Sequence, residues 1–284
     1  MTRLPLWVRA LQWTDRLAWY AYRTEEVTRD ALLLTFLRPE LRAELTAQLY
    51  DKQVAYLPGG ATHQKGLFEW EESALSTHPF PKQGRILLGA AGGGRELRVL
   101  CERGFEVVAF EPNDTLRAGA EKVARHHPKA QVVAASYEDL VRAANEKTGL
   151  LADALGAGHF DAVILGWGSL THVLSRAEQL ALLKAVRRSA PKGAVLISFF
   201  LRPATSAKGK SDRLRDTLSW LFSAMGKTQP AEGLAYEMNN GFVYSFTEDE
   251  IFELAMDAGY EVFRLQAWPF PHAVLVPLAT AAEA

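Results

Sequence analysis

Cysteine is almost absent: Cys101 is the single one in 284 residues. An internal disulfide is therefore excluded, and the composition fits a reducing compartment. Cys101 falls in an expected helix, where a buried bystander is the natural reading. Excess charge of one sign is missing too, since 32 Lys and Arg face 33 Asp and Glu, a formal net charge of −1. No global basic field draws the chain to nucleic acid, so no nucleic-acid partner is expected. No apolar run approaches the roughly 20 residues that span a bilayer, and no membrane partner is expected. The basic, apolar stretch Met1–Arg9 lacks the apolar core and small-residue cleavage site of a signal peptide. A cytoplasmic protein is the default expectation. No His, Cys or carboxylate spacing suits zinc, His126-His127 included, so no metal is expected. A G-x-S-x-G elbow is absent, which argues against an α/β serine hydrolase. There is no internal repeat, and no low-complexity segment beyond the Ala-rich tail. Oligomeric state stays open.

What is present concentrates in residues 84–113. Gly84-Arg85-Ile86-Leu87-Leu88-Gly89 runs into Ala90-Ala91-Gly92-Gly93-Gly94-Arg95-Glu96, and Val107-Val108-Ala109-Phe110 follows and ends on Glu111-Pro112-Asn113. A strand, a glycine turn, a helix and a second strand ending on an acid about 20 residues later make a unit for an adenosine-containing cofactor. The glycines let backbone approach the ligand. Glu111, at the tip of the second strand, is placed to accept hydrogen bonds from ribose hydroxyls. A dinucleotide site wants G-x-G-x-x-G. From Gly92 the third position is Leu97, and from Gly89 the second is Ala91, so neither frame fits.

The run resembles motif I of the class I S-adenosylmethionine (SAM) dependent methyltransferases, h-h-[DE]-x-G-x-G-x-G. Ile86 and Leu87 take the apolar positions, and Gly92 and Gly94 the last two glycines. Two positions depart: Leu88 stands where the family has an acid, and Ala90 where it has the first glycine. That acid commonly orders the loop and helps hold the methionine amino group, so another group must do so here. Leu165-Gly166-Trp167-Gly168-Ser169-Leu170-Thr171-His172 resembles motif IV of the same family.

The resemblance spans residues 84–200 and, more loosely, 247–278. It implies an α/β, doubly wound, mostly parallel seven-stranded sheet, the Rossmann-like methyltransferase fold. It implies SAM as cofactor, S-adenosylhomocysteine as product, and an O or N nucleophile on a small or medium-sized acceptor. By position, the backbone at Gly89, Ala90, Ala91, Gly92 and Gly94 would hold the methionine half. Glu111 and Pro112 would face the ribose, and Tyr137 with Glu138 or Asp139 the adenine. The Gly166 carbonyl would approach the amino group, Trp167 would wall the site, and His172 would be a general base. Simpler readings stand beside these. Ser136 with Asp139 is also a helix capping pair, and His172 could cap a turn or pack behind its loop. Two rival functions also stand: a catalytically silent SAM-fold binding or regulatory protein, and an NAD(P)-dependent oxidoreductase.

Strands and helices alternate through the core. Strands are expected at 85–88, 106–110, 131–135, 161–165 and 194–200, with helices between them. A helix from Thr247 and two last strands, 261–268 and 273–277, close the sheet. Residues 1–80 read as an N-terminal helical lid, and 81–284 as the SAM-binding core with a helical insert at about 201–246. Leu41, Leu45 and Leu49 recur at i+4 after Pro39, and Ala31–Leu37 is apolar nearly all round, as in a buried helix. Trp7, Trp13, Trp19, Tyr20, Tyr22, Tyr50, Tyr56 and Trp70 read as an aromatic core or as a lid over an apolar substrate. Gly209-Lys210-Ser211 matches the end of a P-loop, but Ala204 holds the place of its first glycine, and an exposed basic loop is expected.

Overall fold

The computed structural model describes residues 4–156, 158–203, 210–225 and 230–279. The N-terminal region is helical: α1 Leu6–Phe36, α2 Pro39–Tyr50, α3 Ala61–Gln64 and α4 Glu69–Leu75, with a 3-10 turn at Val54–Tyr56. The core then runs β1 Arg85–Gly89, α5 Arg95–Glu102, β2 Glu106–Phe110, α6 Asp114–Ala124, β3 Ala130–Val133, α7 Tyr137–Glu146, α8 Ala152–Gly156, β4 Ala162–Leu165, α9 Arg176–Ser189 and β5 Ala194–Ser198. Next come β6 Phe200–Leu201, α10 Lys210–Ala224, β7 Leu234–Glu237, β8 Gly241–Phe246, α11 Glu248–Asp257, β9 Tyr260–Gln266 and β10 His272–Pro277.

Seven strands form one sheet in the order β3-β2-β1-β4-β5-β10-β9, parallel except for the antiparallel β10. The apolar runs read from the sequence are the central strands, and their continuity reflects cover on both faces. Leu87, Val108, Val163 and Val195 pack under α7, α9 and α11, while Ile86, Leu88, Val107, Ala162 and Ile164 pack under α5 and Trp70. Helix starts are fixed by side chains, at Ser136 and Thr247 as the sequence anticipates. Ser136, Ser175 and Thr247 each close a capping box, and Asn113 caps α6 by accepting from Leu116 N–H.

The structure differs from the sequence reading in four places. The fifth strand stops at Ser198, and Phe200–Leu201 leaves the main sheet to pair with β8. The 201–246 insert is only half helical: β7 and β8 form a hairpin, so a second sheet, β6-β8-β7, stands beside the first. The aromatics of α1 form no core, since Trp7, Trp13, Trp19, Tyr20 and Tyr22 are all exposed. On the Ala31–Leu37 stretch only Ala31 and Leu34 are buried, while Leu32 and Phe36 face solvent. Ala204 and Gly209 of the P-loop match lie outside the described residues, as do Met1–Arg3.

The N-terminal region and the insert pack on each other. Asp30 of α1 accepts the Tyr236 N–H of β7 at 2.7 Å. Thr46 of α2 accepts the Phe242 N–H of β8 at 3.2 Å, and a Cβ on Gly241 would lie 2.4 Å from the Thr46 hydroxyl.

Leu88 is fully buried in the cluster with Ile86, Leu97 and Ala109. Restoring the family's acid there puts an unpaired carboxylate into that cluster. Leu88→Asp is expected to cost more than about 3 kcal/mol in urea unfolding, and Leu88→Met less than about 1.5 kcal/mol.

Candidate active site

The turn after β1 is built by close approach. A Cβ on Gly89 would sit 2.8 Å from the Phe110 ring and 2.9 Å from that of Tyr137. Ala90 follows with φ +51, in the left-handed region. This is where the resembling motif has glycine, so the backbone keeps the glycine conformation and the alanine strains it. Gly92 has φ +53 with nothing near its missing Cβ, and Gly94, at φ +90, starts α5 against Ala120. Gly93 is constrained from outside, because its Cβ would lie 2.0 Å from the Tyr56 carbonyl. The N-terminal region thus lies directly across the turn.

Glu111 is buried beside this turn. Its carboxylate accepts Gly92 N–H at 2.9 Å and Asn113 N–H at 3.0 Å, tying the two loops together. Burial pushes its pKa up, and these backbone bonds pull it back down. Pro112 and Asn113 line the same cavity. Next to them Tyr137 packs edge-on against Phe110 and bonds Ser169. Asp139 is spent on the capping box, accepting Ser136 N–H. Glu138 instead lines the cavity.

Gly166 uses its freedom on the protein: a Cβ there would lie 2.4 Å from the Ala90 carbonyl. Its own carbonyl accepts Ser169 N–H at 2.9 Å. Trp167 meets Tyr56, Phe68 and Phe270 edge-on, so both terminal regions grip the loop after β4. Over Phe68 lies Arg95, 4.2 Å from the ring centroid. Arg95 pairs bidentately with Glu71 and also with Glu96, and all three are buried. Burial pushes Glu71 up to about 7 against the pull of Arg95, and Glu96 adds to the push. Two carboxyl groups share one guanidinium, and Arg95 and Glu96 face the cavity. His63 lines it too, with Nε2 buried and unpartnered.

On the far side His172 meets Tyr50 of α2. The Tyr50 hydroxyl is 2.8 Å from Nε2, and Nδ1 is 3.1 Å from the Phe242 carbonyl. A carbonyl only accepts, so Nδ1 carries the hydrogen and Nε2 accepts from Tyr50. Burial lowers the His172 pKa and keeps the ring neutral, while the bond to Phe242 pulls the other way.

These groups surround one cavity of about 1080 Å³ at the C-terminal edge of β1, β2 and β4. Of the residues singled out from the sequence, Ala90, Ala91, Gly92, Glu111, Pro112, Tyr137, Glu138, Trp167 and His172 line it. Gly89, Gly94 and Gly166 instead make room for neighbouring protein atoms. Tyr50, read from the sequence only as one of the core or lid aromatics, lines it, as do His63, Arg95 and Glu96, which had no assigned role. Among the described residues no cluster of His, Cys, Asp or Glu could hold a metal.

Residues 69–265 match the model of a methyltransferase domain family. The chain belongs to this methyltransferase family. Solved methyltransferase structures share its fold at low identity. The 1,6-didemethyltoxoflavin-N1-methyltransferase of Burkholderia thailandensis, with S-adenosylhomocysteine bound, is 17% identical with a TM-score of 0.52, covering 84% of this chain and 88% of its own. SAM-bound CalS10, an amino pentose methyltransferase of Micromonospora echinaspora, is 16% identical with a TM-score of 0.51, covering 76% and 94%. A SAM-dependent methyltransferase of Methanosarcina mazei is 18% identical with a TM-score of 0.50, covering 75% and 99%. No curated protein matches by sequence.

Two outcomes follow for this methyltransferase. Ala90→Gly relieves the left-handed alanine and is expected to stabilise the fold by about 0.5–1 kcal/mol in urea unfolding. The pKa of folded His172 lies below its unfolded value, so acidification protonates the unfolded state first. His172 therefore contributes stability that is present near neutral pH and lost as pH falls below about 6.5. Wild type should lose melting temperature more steeply than His172→Gln between neutral and mildly acidic pH.

Proposed function

We propose that the cavity binds SAM and that the chain transfers its methyl group to an O or N nucleophile of a small or medium-sized acceptor. The observation that carries this is the convergence of the Ala90–Gly93 turn, Glu111 and Trp167 on one cavity in a chain of this family. The donor set fits such a ligand. Gly92 leaves open space where a Cβ would stand. Glu111 keeps carboxylate lone pairs for ribose hydroxyls beyond the two backbone bonds it accepts. Phe110 and Tyr137 offer aromatic faces to the adenine, and Glu138 an acceptor for its amine. Glu96 on the cavity wall supplies an acidic side chain that Leu88 does not, suited to the methionine ammonium.

SAM, when bound, supplies a methyl group already activated on a sulfonium. The protein's part is to hold the acceptor in line and to exclude water, which accounts for much of the rate in such transfers. Tyr50 offers the acceptor a hydroxyl oxygen backed by neutral His172. In our reading, the acceptor proton passes to the Tyr50 oxygen as the Tyr50 proton moves to His172 Nε2. The cavity continues past this pair to Arg42, Leu234 and Phe242, contributed by α2 and the hairpin. That end is the acceptor's. The mixed apolar and charged lining supports a small molecule over a polymer.

Calorimetry with SAM and S-adenosylhomocysteine tests the reading, with NADH as control. Both SAM ligands are expected to bind at micromolar level. Glu111→Ala should weaken them by about 1.5–3 kcal/mol, the worth of charge-assisted bonds. Glu96→Gln should weaken SAM as well. Silence towards both ligands would overturn the cofactor assignment.

A further inference from the structure

The first half of α1 is exposed along nearly its whole length. Every residue from Arg9 to Tyr22 is exposed, and burial begins only at Val27, Asp30, Ala31 and Leu34. Residues 6–22 thus form an arm about 25 Å long at 1.5 Å per residue. At about 100° per residue, Leu6, Trp7, Leu11, Trp13, Leu17 and Tyr20 share one arc of roughly 200°. The opposite arc carries Arg9, Gln12, Asp15 and Arg16, with Val8 and Trp19 as its apolar members. Leu6 is 81% exposed, Trp7 67% and Trp13 65%. The large rings alone expose several hundred Å², as much as the largest patch on an ordinary monomer, before the leucines are added. A free helix of this length is marginal in water. Its apolar arc needs a partner.

The charges and ring types indicate which one. Arg9 and Arg16 are seven apart and lie along one edge of the apolar arc, while Arg23, beyond the arm, is paired with Glu26 at 2.6 Å. Against the two arginines the arm carries one acid, Asp15. A second copy of the helix fits poorly. A two-helix seam is much narrower than this arc, and an antiparallel pair would set the two arginines against their copies. A lipid surface meets each feature. Indole and phenol rings settle at headgroup level, arginines at the edge reach phosphates while their stems cover apolar surface, and a wide apolar arc sinks into the acyl boundary. No described helix is long and apolar enough to cross a membrane, and an interfacial helix has no need to be. We propose that residues 6–22 form an interfacial helix that docks the protein on a membrane surface bearing anionic lipids.

The test is co-sedimentation of the full-length protein with vesicles, read together with tryptophan emission. One set is phosphatidylcholine alone, and the other includes about a third phosphatidylglycerol. Wild type should partition onto the anionic vesicles at low salt with a blue shift of its emission, and release as salt rises. Trp7→Ser with Trp13→Ser should lose about tenfold in partitioning, and Arg9→Gln with Arg16→Gln should lose the preference for anionic vesicles. All four positions are solvent-exposed, so the melting temperature should not change. No partitioning at low salt overturns the proposal, and so does partitioning that the Trp variants leave intact. A dimer in sedimentation velocity that Trp13→Ser dissolves would assign the face to a second copy instead.

Discussion

At the end of β1 three stretches of backbone meet so closely that no side chain fits between them. The Tyr56 carbonyl occupies the place of a Cβ on Gly93, and the Ala90 carbonyl that of a Cβ on Gly166. The rings of Phe110 and Tyr137 do the same at Gly89. This contact sets the N-terminal region, the glycine turn and the loop after β4 at fixed distances from one another. The cavity is the space left beside it. Several of the glycines at this edge therefore serve the protein's own packing, and the position beside Gly92 is left open.

Electrostatics complete what sterics begin. The Glu111 carboxylate clamps the glycine turn to the loop after β2 through two backbone amides, which orders both before any ligand arrives. Arg95, with its guanidinium over Phe68, gathers Glu71 from α4 and Glu96 from its own helix into one buried group. That group ties the N-terminal region to the core across 24 residues of sequence. Arg95 and Glu96 of this group line the cavity.

Much of this architecture was legible from local pattern. The central strands, the turn, Glu111 and the capped helices follow from apolar runs, glycines and Ser, Thr or Asn at helix starts. Helix α9, Arg176–Ser189, falls between the fourth and fifth expected strands. The hairpin was missed although its signal was present: Asn240-Gly241 lies between two short runs rich in aromatic and apolar residues, a strong turn marker. The Tyr50–His172 pair had no such marker, because 122 residues separate its members and only the fold brings them together. The same holds for Glu71 and Arg95. The exposure of the α1 aromatics was not legible either, since a tryptophan that packs inside and one that packs on a partner look alike in a sequence.

The mutual packing of the N-terminal region and the insert bears on how such an enzyme can change what it acts on. Asp30 holds the backbone of β7, Thr46 holds that of β8, and Gly241 leaves room for Thr46 and nothing larger. The two segments lie more than 100 residues apart in the chain, yet they pack together as one physical part. Exchanging either alone between relatives would strand buried polar groups in the other. Exchanged as a pair, they would carry their shared surface with them, and would still have to offer Gly93 a close carbonyl and Arg95 its acidic partner.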